Sequence, residues 1–206
     1  MILQNFFLFK DLTIPEAEAI AQFTKQQTYP PRTLLIEQGT AADAVFFVLE
    51  GSVMIYRLTE EGEEISLGIL GTGEIIGEMA LIDNQARSAY VKTLTTTTLL
   101  VLSNKEFHRI IEDYPKIALH LLYSLTQRVR KSDEHLETTI TENLSTRTWN
   151  TLNILTQYFP DNEIALTHQE LASIVGGTRA RITEILNKLE ENNRITLSQR
   201  KIKVLL

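Results

Sequence analysis

Cysteine is absent from all 206 residues, which excludes disulfides, thiolate zinc and cysteine-held iron–sulfur clusters as sensing devices. The four histidines, His108, His120, His135 and His168, are scattered without metal-ligand spacing, so no metal is expected. No apolar run approaches the roughly 20 residues that span a bilayer. The opening Met1-Ile2-Leu3-Gln4-Asn5 has neither a basic region nor a cleavage site, so the chain is expected in the cytoplasm with no membrane partner. Catalytic signatures are lacking too. With no nucleophile–base pair, metal cluster or nucleotide-triphosphate loop in view, neither an enzyme nor a cofactor is expected.

What is present is ordinary globular composition, 43% hydrophobic and 22% charged, in a chain long enough for two modest domains. The net charge of −6 divides unevenly. Residues 1–143 hold 12 Lys and Arg against 20 Asp and Glu, whereas residues 144–206 hold 8 against 6, so only the tail tolerates a polyanion.

Residues 77–91, G-E-M-A-L-I-D-N-Q-A-R-S-A-Y-V, have the layout of an anionic-sugar site. Gly77 lets an oxyanion approach its backbone, and Met79, Ala80 and Leu81 can form one helical turn whose N–H groups face that anion. Arg87 supplies a planar, permanent charge suited to two phosphate oxygens, with the Ser88 hydroxyl beside it. Glu78 only accepts hydrogen bonds when ionised, which suits a sugar hydroxyl such as a ribose 2′-OH. On spacing alone the simpler alternative is a turn, a strand and a solvated arginine.

Upstream, residues 1–28 carry apolar positions at helical spacing, with Thr13 as N-cap, Pro15 in the first turn, and Pro30-Pro31 as the stop. From Arg32 to about Ser103, short runs rich in Val, Ile, Leu and Thr are cut by glycines, which predicts antiparallel β-structure in a barrel, jelly roll or sandwich. Glu60-Glu61-Gly62-Glu63-Glu64 reads as a hairpin tip, and Thr95–Thr98 is β-prone with no assigned role. Asn104–Tyr114 predicts a short helix stopping before Pro115. A helix of about seven turns follows, with Ala118, Leu122, Leu125, Val129, Ser132, Leu136 and Thr139 at alternating spacings of four and three. That stripe predicts a homodimeric coiled coil, and its alternative is one amphipathic helix packed on its own β-domain through Ile117 and Leu121. Asn143 predicts a cap and a hinge, followed by a helix over 146–159 and an exit turn at Pro160-Asp161-Asn162.

Leu166–Glu190 reads helix, turn, helix. Thr167 with Glu170 forms a capping box, and Leu171, Ala172, Ile174 and Val175 give the first helix its buried face. Gly176-Gly177 permits the turn and Thr178 starts the second helix. Ile182, Ile185, Leu186 and Leu189 are its buried face, leaving Arg179, Arg181, Thr183 and Glu184 outward.

The G-E-M-A-L and A-R-S-A segments resemble the phosphate-binding cassette of cyclic-nucleotide-binding domains, and L-E-G-S-V at 49–53 resembles their β-roll. The helix-turn-helix resembles that of the cyclic-AMP receptor protein/FNR family of bacterial transcription regulators, and the likeness covers nearly the whole chain in the family's order. It implies an α+β architecture: a jelly-roll-like β-roll (double-stranded β-helix) over 1–112, a dimerisation helix and hinge over 113–142, and a winged helix-turn-helix over 143–206. It implies cyclic AMP as effector, with the phosphate on Arg87, Ser88 and the amides of Gly77, Met79 and Ala80, and the ribose on Glu78. The base would meet Ser132 and Asp133, where aspartate departs from the family's second hydroxyl. Double-stranded DNA would be met by Thr167, Gln169, Thr178, Arg179, Arg181 and Glu184, with Arg200, Lys201 and Lys203 of a two-stranded wing on phosphates. Arginine at 179 fits the family pattern, whereas Glu184 stands where the family's receptor carries a second arginine. RNA polymerase is the further partner implied. The rivals are a same-fold regulator sensing another metabolite or none, and a cyclic-nucleotide regulatory subunit of a kinase or channel.

Overall fold

A computed structural model describes residues 3–205. The chain divides into two compact units, one holding the residues up to Val53 with Leu70–Asp133, the other Met54–Ile69 with Glu134 onward.

Two 3-10 turns, Leu3–Asn5 and Phe7–Phe9, lead into α1 (Ile14–Ala21). The Glu16 carboxylate accepts from the Thr13 backbone N–H at 2.7 Å, which completes the expected cap. The helix does not continue to the prolines. Thr24–Tyr29 is instead β1, paired antiparallel with the strand Thr97–Ser103 from Thr24↔Leu102 to Tyr29↔Thr97. The reason is that T-K-Q-Q-T-Y has no apolar stripe for a helix to bury, while its Thr and Tyr suit a polar edge strand.

The β-texture then runs as expected through β2 (Leu34–Ile36), β3 (Ala44–Glu50), β4 (Ser52–Leu58), β5 (Glu64–Gly71) and β6 (Ile75–Ile76). After the short helix α2 (Met79–Ile82) come β7 (Tyr90–Thr93) and β8 (Thr97–Ser103). They form two four-stranded sheets, β1-β8-β3-β6 and β2-β7-β4-β5. The threonine run has a structural task after all. Thr95 Oγ1 accepts from Ser52 N at 2.9 Å and buried Thr97 donates to Ser52 O at 3.0 Å, satisfying the backbone beside Gly51. Gly51 sits at φ +90°, where a Cβ would lie 2.4 Å from Thr96 O, so only glycine fits. The first unit's core joins Leu3, Phe6, Phe9, Ile20, Val45, Phe47, Leu81, Leu102 and Phe107.

Ser103 caps α3 (Asn104–Asp113), and α4 (Lys116–Thr141) runs 26 residues. Ile117 and Leu121 are buried in the core, as their flank position predicts. Leu122, Val129 and Leu136, on the predicted seam, are exposed at 60–64%.

Asn143 Oδ1 accepts from Thr146 N at 3.0 Å and caps α5 (Leu144–Leu155), which starts earlier and ends earlier than its pattern suggested. The expected exit turn is a 3-10 turn over Pro160–Asn162, followed by β9 (Glu163–Ile164). Then come α6 (His168–Val175), α7 (Arg179–Glu191), β10 (Ile195–Ser198) and β11 (Lys201–Val204). The wing is a three-stranded sheet, β10-β11-β9, and not the two-stranded one expected. Residues as few as Glu163 and Ile164 carry no readable period, yet they pair with Lys203 and Ile202. Among the described residues no helix is long and apolar enough to cross a membrane, and no group of side chains could hold a metal ion.

Candidate functional site

Gly77 ends β6 in the left-handed region, φ +82°, and turns the chain into α2. The turn delivers Glu78 and Arg87 to the interior of the first unit, 2% and 5% exposed. Burying a charge is costly unless it is paired, and both are. Arg87 donates through Nη1 to Gly77 O at 2.7 Å and through Nη2 to Ala44 O at 2.6 Å, with Asp43 Oδ1 at 3.4 Å. Burial draws its guanidinium below the ordinary range, and Asp43, then Glu78, oppose that. A Cβ at residue 77 would lie 2.4 Å from Arg87 Nη1, so the glycine and the arginine fit only together.

Glu78 meets a residue that no motif or spacing singles out. Arg128, midway along α4, donates from Nη1 to Glu78 Oε1 at 2.6 Å and from Nη2 to Ile75 O. Burial pushes the Glu78 carboxyl above its usual range, with Arg128 the chief opposing influence. Arg128 Nε is itself buried without a partner, so this corner of the site holds one spare donor. Arg128 lies one residue before a seam position, where a cation ordinarily reads as a rim charge of a coiled coil.

Of the other expected ligand residues, Met79 and Ala80 open α2, with Ala80 buried and Met79 exposed, and Ser88 is exposed beside Arg87. Ser132 and Asp133 are exposed on α4, Ser132 returning its hydroxyl to Arg128 O at 3.0 Å. The structure thus gathers Gly77, Glu78 and Arg87 into one cluster with Arg128. A cleft of about 370 Å³ beside α2 is lined by Gly39, Ala42, Ala80, Asn84, Ala86 and Asn104, of which Ala80 belongs to the expected cassette and Ala86 precedes Arg87 in the chain.

In the second unit, the Thr167–Glu170 box closes at 2.7 and 3.1 Å, and Gly176 takes φ +76° as the cap of α6. Gly177 packs against Leu144, whose Cδ1 would stand 2.9 Å from an added Cβ. Thr178 caps α7 by accepting from Arg181 N, and Ile182, Leu186 and Leu189 are buried. That rotation leaves Arg179, Arg181 and Glu184 exposed, with Gln169 exposed on α6. Among the described residues no ion pair joins Glu184 to Lys188. Arg200 occupies the tight turn between β10 and β11 at φ +60°. Lys201 is engaged, its Nζ 2.7 Å from the Glu163 carboxylate, which also lies 3.9 Å from Lys203. Strand β9 therefore brings a carboxylate to the wing that the two-stranded reading lacked.

Residues 26–114 match the cyclic nucleotide-binding domain family, and residues 146–205 match the Crp-like helix-turn-helix domain family. The cAMP-activated global transcriptional regulator CRP of Salmonella typhimurium is 31% identical over 196 residues, covering 92% of this chain and 93% of its own. The global nitrogen regulator of Synechocystis is 27% identical over 187 residues, covering 86% and 83%. In fold, a CRP/FNR transcriptional regulator from Thermus thermophilus superposes with a TM-score of 0.76 at 24% identity, covering 88% of this chain and 94% of that one. With both domains matched in order and the relatives spanned nearly end to end, the chain belongs to the CRP/FNR family of effector-responsive, DNA-binding transcription regulators, which are not enzymes.

Proposed function

We propose that the chain works in the cytoplasm as a homodimer paired along α4, that each copy binds cyclic AMP at the Gly77–Ser88 cassette, and that paired α7 helices read double-stranded DNA. The working boundaries are 1–112 for the effector domain, 113–142 for the dimer helix and hinge, and 143–206 for the DNA-binding domain. One observation carries the reading: the buried Glu78 is held by Arg128 of α4. A ribose hydroxyl that donates to Glu78 competes with Arg128, so ligand chemistry at the cassette acts directly on the long helix. Arg87 and Ser88 would take the phosphate, helped by the amides of Met79 and Ala80, and Ser132 and Asp133 would face the base. Gln169, Thr167, Thr178 and Arg200 would fix the duplex through its backbone, and RNA polymerase is the partner that family likeness supplies.

Isothermal titration tests the effector: cyclic AMP should bind, and cyclic GMP and 2-oxoglutarate should bind more weakly or not at all. Tighter binding of 2-oxoglutarate would favour the second reading, a same-fold metabolite sensor. An adenine N6 amino group can be accepted by a carboxylate as well as by a hydroxyl, so Asp133→Ser should keep or improve cyclic-AMP affinity. Loss of that affinity would give Asp133 a different role.

Base reading has its own test. Arg179 suits guanine O6 and N7, while Glu184 only accepts and so favours a cytosine amino group. Binding-site selection with wild type and Glu184→Arg should change the preferred base at one symmetric position of each half-site. An unaltered selected sequence would remove Glu184 from base reading. Arg179→Ala should cost about 1–3 kcal/mol and relax one guanine position. Lys201→Ala should weaken all sequences alike and flatten the salt dependence by about one unit.

A further inference from the structure

His168 opens α6 half-buried, and its Nδ1 lies 2.9 Å from Thr183 Oγ1 on α7. The Thr183 hydroxyl has one proton and donates it to Arg179 O at 2.9 Å. Thr183 therefore accepts from the imidazole, which fixes the proton on Nδ1 and leaves Nε2 as the nitrogen that titrates. The charged side chain whose field reaches the ring is Arg179 of α7, and burial and then that charge hold His168 below the ordinary histidine range. Glu170 on the same helix is directed to the Thr167 amide at 2.7 Å. The ring is thus joined by hydrogen bond to the outward half of α7, beside an exposed arginine and between Thr167 and Gln169.

We propose that His168 is a proton-linked contact to the DNA backbone, its ring becoming protonated when duplex DNA docks on α7. The inference rests on the DNA-binding reading and extends it. In the free protein Arg179 repels an imidazolium. A phosphate at Arg179 cancels that repulsion and attracts the charged ring, so the complex binds a proton that the free protein does not. The sign follows. Affinity is constant above the bound-state pKa of His168, rises as pH falls through it, and levels off below the free-state pKa, which lies under the reference 6.5.

The test is fluorescence anisotropy with full-length protein and a labelled duplex of random sequence at low salt, where phosphate contacts alone give binding and no effector is needed. Wild-type affinity should tighten about three- to tenfold between pH about 7.5 and about 5.5. His168→Gln, which keeps an N–H donor for Thr183, should match wild type at the upper pH and show a flatter profile. His168→Arg should bind tightly at both pH values, and it serves if the glutamine variant fails to fold. An unchanged pH profile in His168→Gln, or in His168→Arg where that stands in, or a flat wild-type profile with intact binding, would overturn the role of His168. Failure of the folded protein to bind DNA at any pH would overturn the DNA-binding reading itself.

Discussion

Arg128→Met is expected to lower the unfolding free energy near neutral pH by about 3–5 kcal/mol, the range for removing one partner of a buried ion pair. Glu78 is 2% exposed, and Arg128, 2.6 Å away, is the main influence opposing the effect of burial on its carboxyl. Without that guanidinium the carboxyl rises further above its reference 4.5 and takes up a proton in the folded protein. For an acid whose folded pKa is raised, stability is present below the unfolded value and is lost as pH rises through the folded one. Urea unfolding of Arg128→Met should therefore show a larger deficit at pH about 7.5 than at about 5. Adding Glu78→Gln should recover part of the loss and remove the extra pH dependence. A deficit equal at both pH values, and untouched by Glu78→Gln, would mean that the methionine acts through packing alone.

That pair also marks where the sequence stops being informative. Glu78 and Arg87 are candidates because a glycine, a short apolar turn and an Arg-Ser pair lie within a dozen residues, and the likeness to a phosphate-binding cassette decides against a solvated arginine. Arg128 is 50 positions from Glu78 in the chain. Its partner cannot be read from a heptad stripe, which reports the side of α4 that lacks cover and says nothing of what its flanks reach. The helix-turn-helix was legible for a local reason: Thr167–Glu170, Gly176-Gly177 and the period of Ile182, Leu186 and Leu189 each lie within one or two turns.

The two misread strands share one cause, the weakness of polar or very short strands as patterns. Thr24–Tyr29 reads as helix only when the apolar period before it is extended to the next proline. Its identity as a strand depends on Thr97–Leu102, some seventy residues on. Glu163–Ile164 is too short to carry alternation, and only Lys203 and Ile202 opposite make it a strand. With it the Lys201 ammonium gains Glu163 as a neighbour, a solvent-exposed pair that screening keeps weak and that a phosphate can displace.

If the cassette holds cyclic AMP as proposed, Arg87→Leu is expected to abolish that binding and to weaken the fold as well. A charge-assisted pair to phosphate contributes roughly 1.5–3 kcal/mol, so its loss lowers affinity at least tenfold. The same side chain donates to Gly77 O and Ala44 O. Leucine supplies neither bond, and each carbonyl left unsatisfied costs about 1–3 kcal/mol. Lost binding in this variant alone would thus mix two effects, and two further substitutions separate them. Asp43→Ala removes only an exposed carboxylate at 3.4 Å from Arg87, so stability should hold within about 0.5 kcal/mol and binding should persist. Gly77→Ala keeps the arginine but places a Cβ 2.4 Å from Nη1 at a φ of +82°, displacing the guanidinium with its charge intact. If Arg87 acts on phosphate by position as well as by charge, Gly77→Ala should weaken cyclic-AMP binding in protein that circular dichroism shows to be folded. Wild-type affinity in folded Arg87→Leu would take the phosphate away from this arginine, and the buried cluster would then be a structural brace between Gly77 and Ala44.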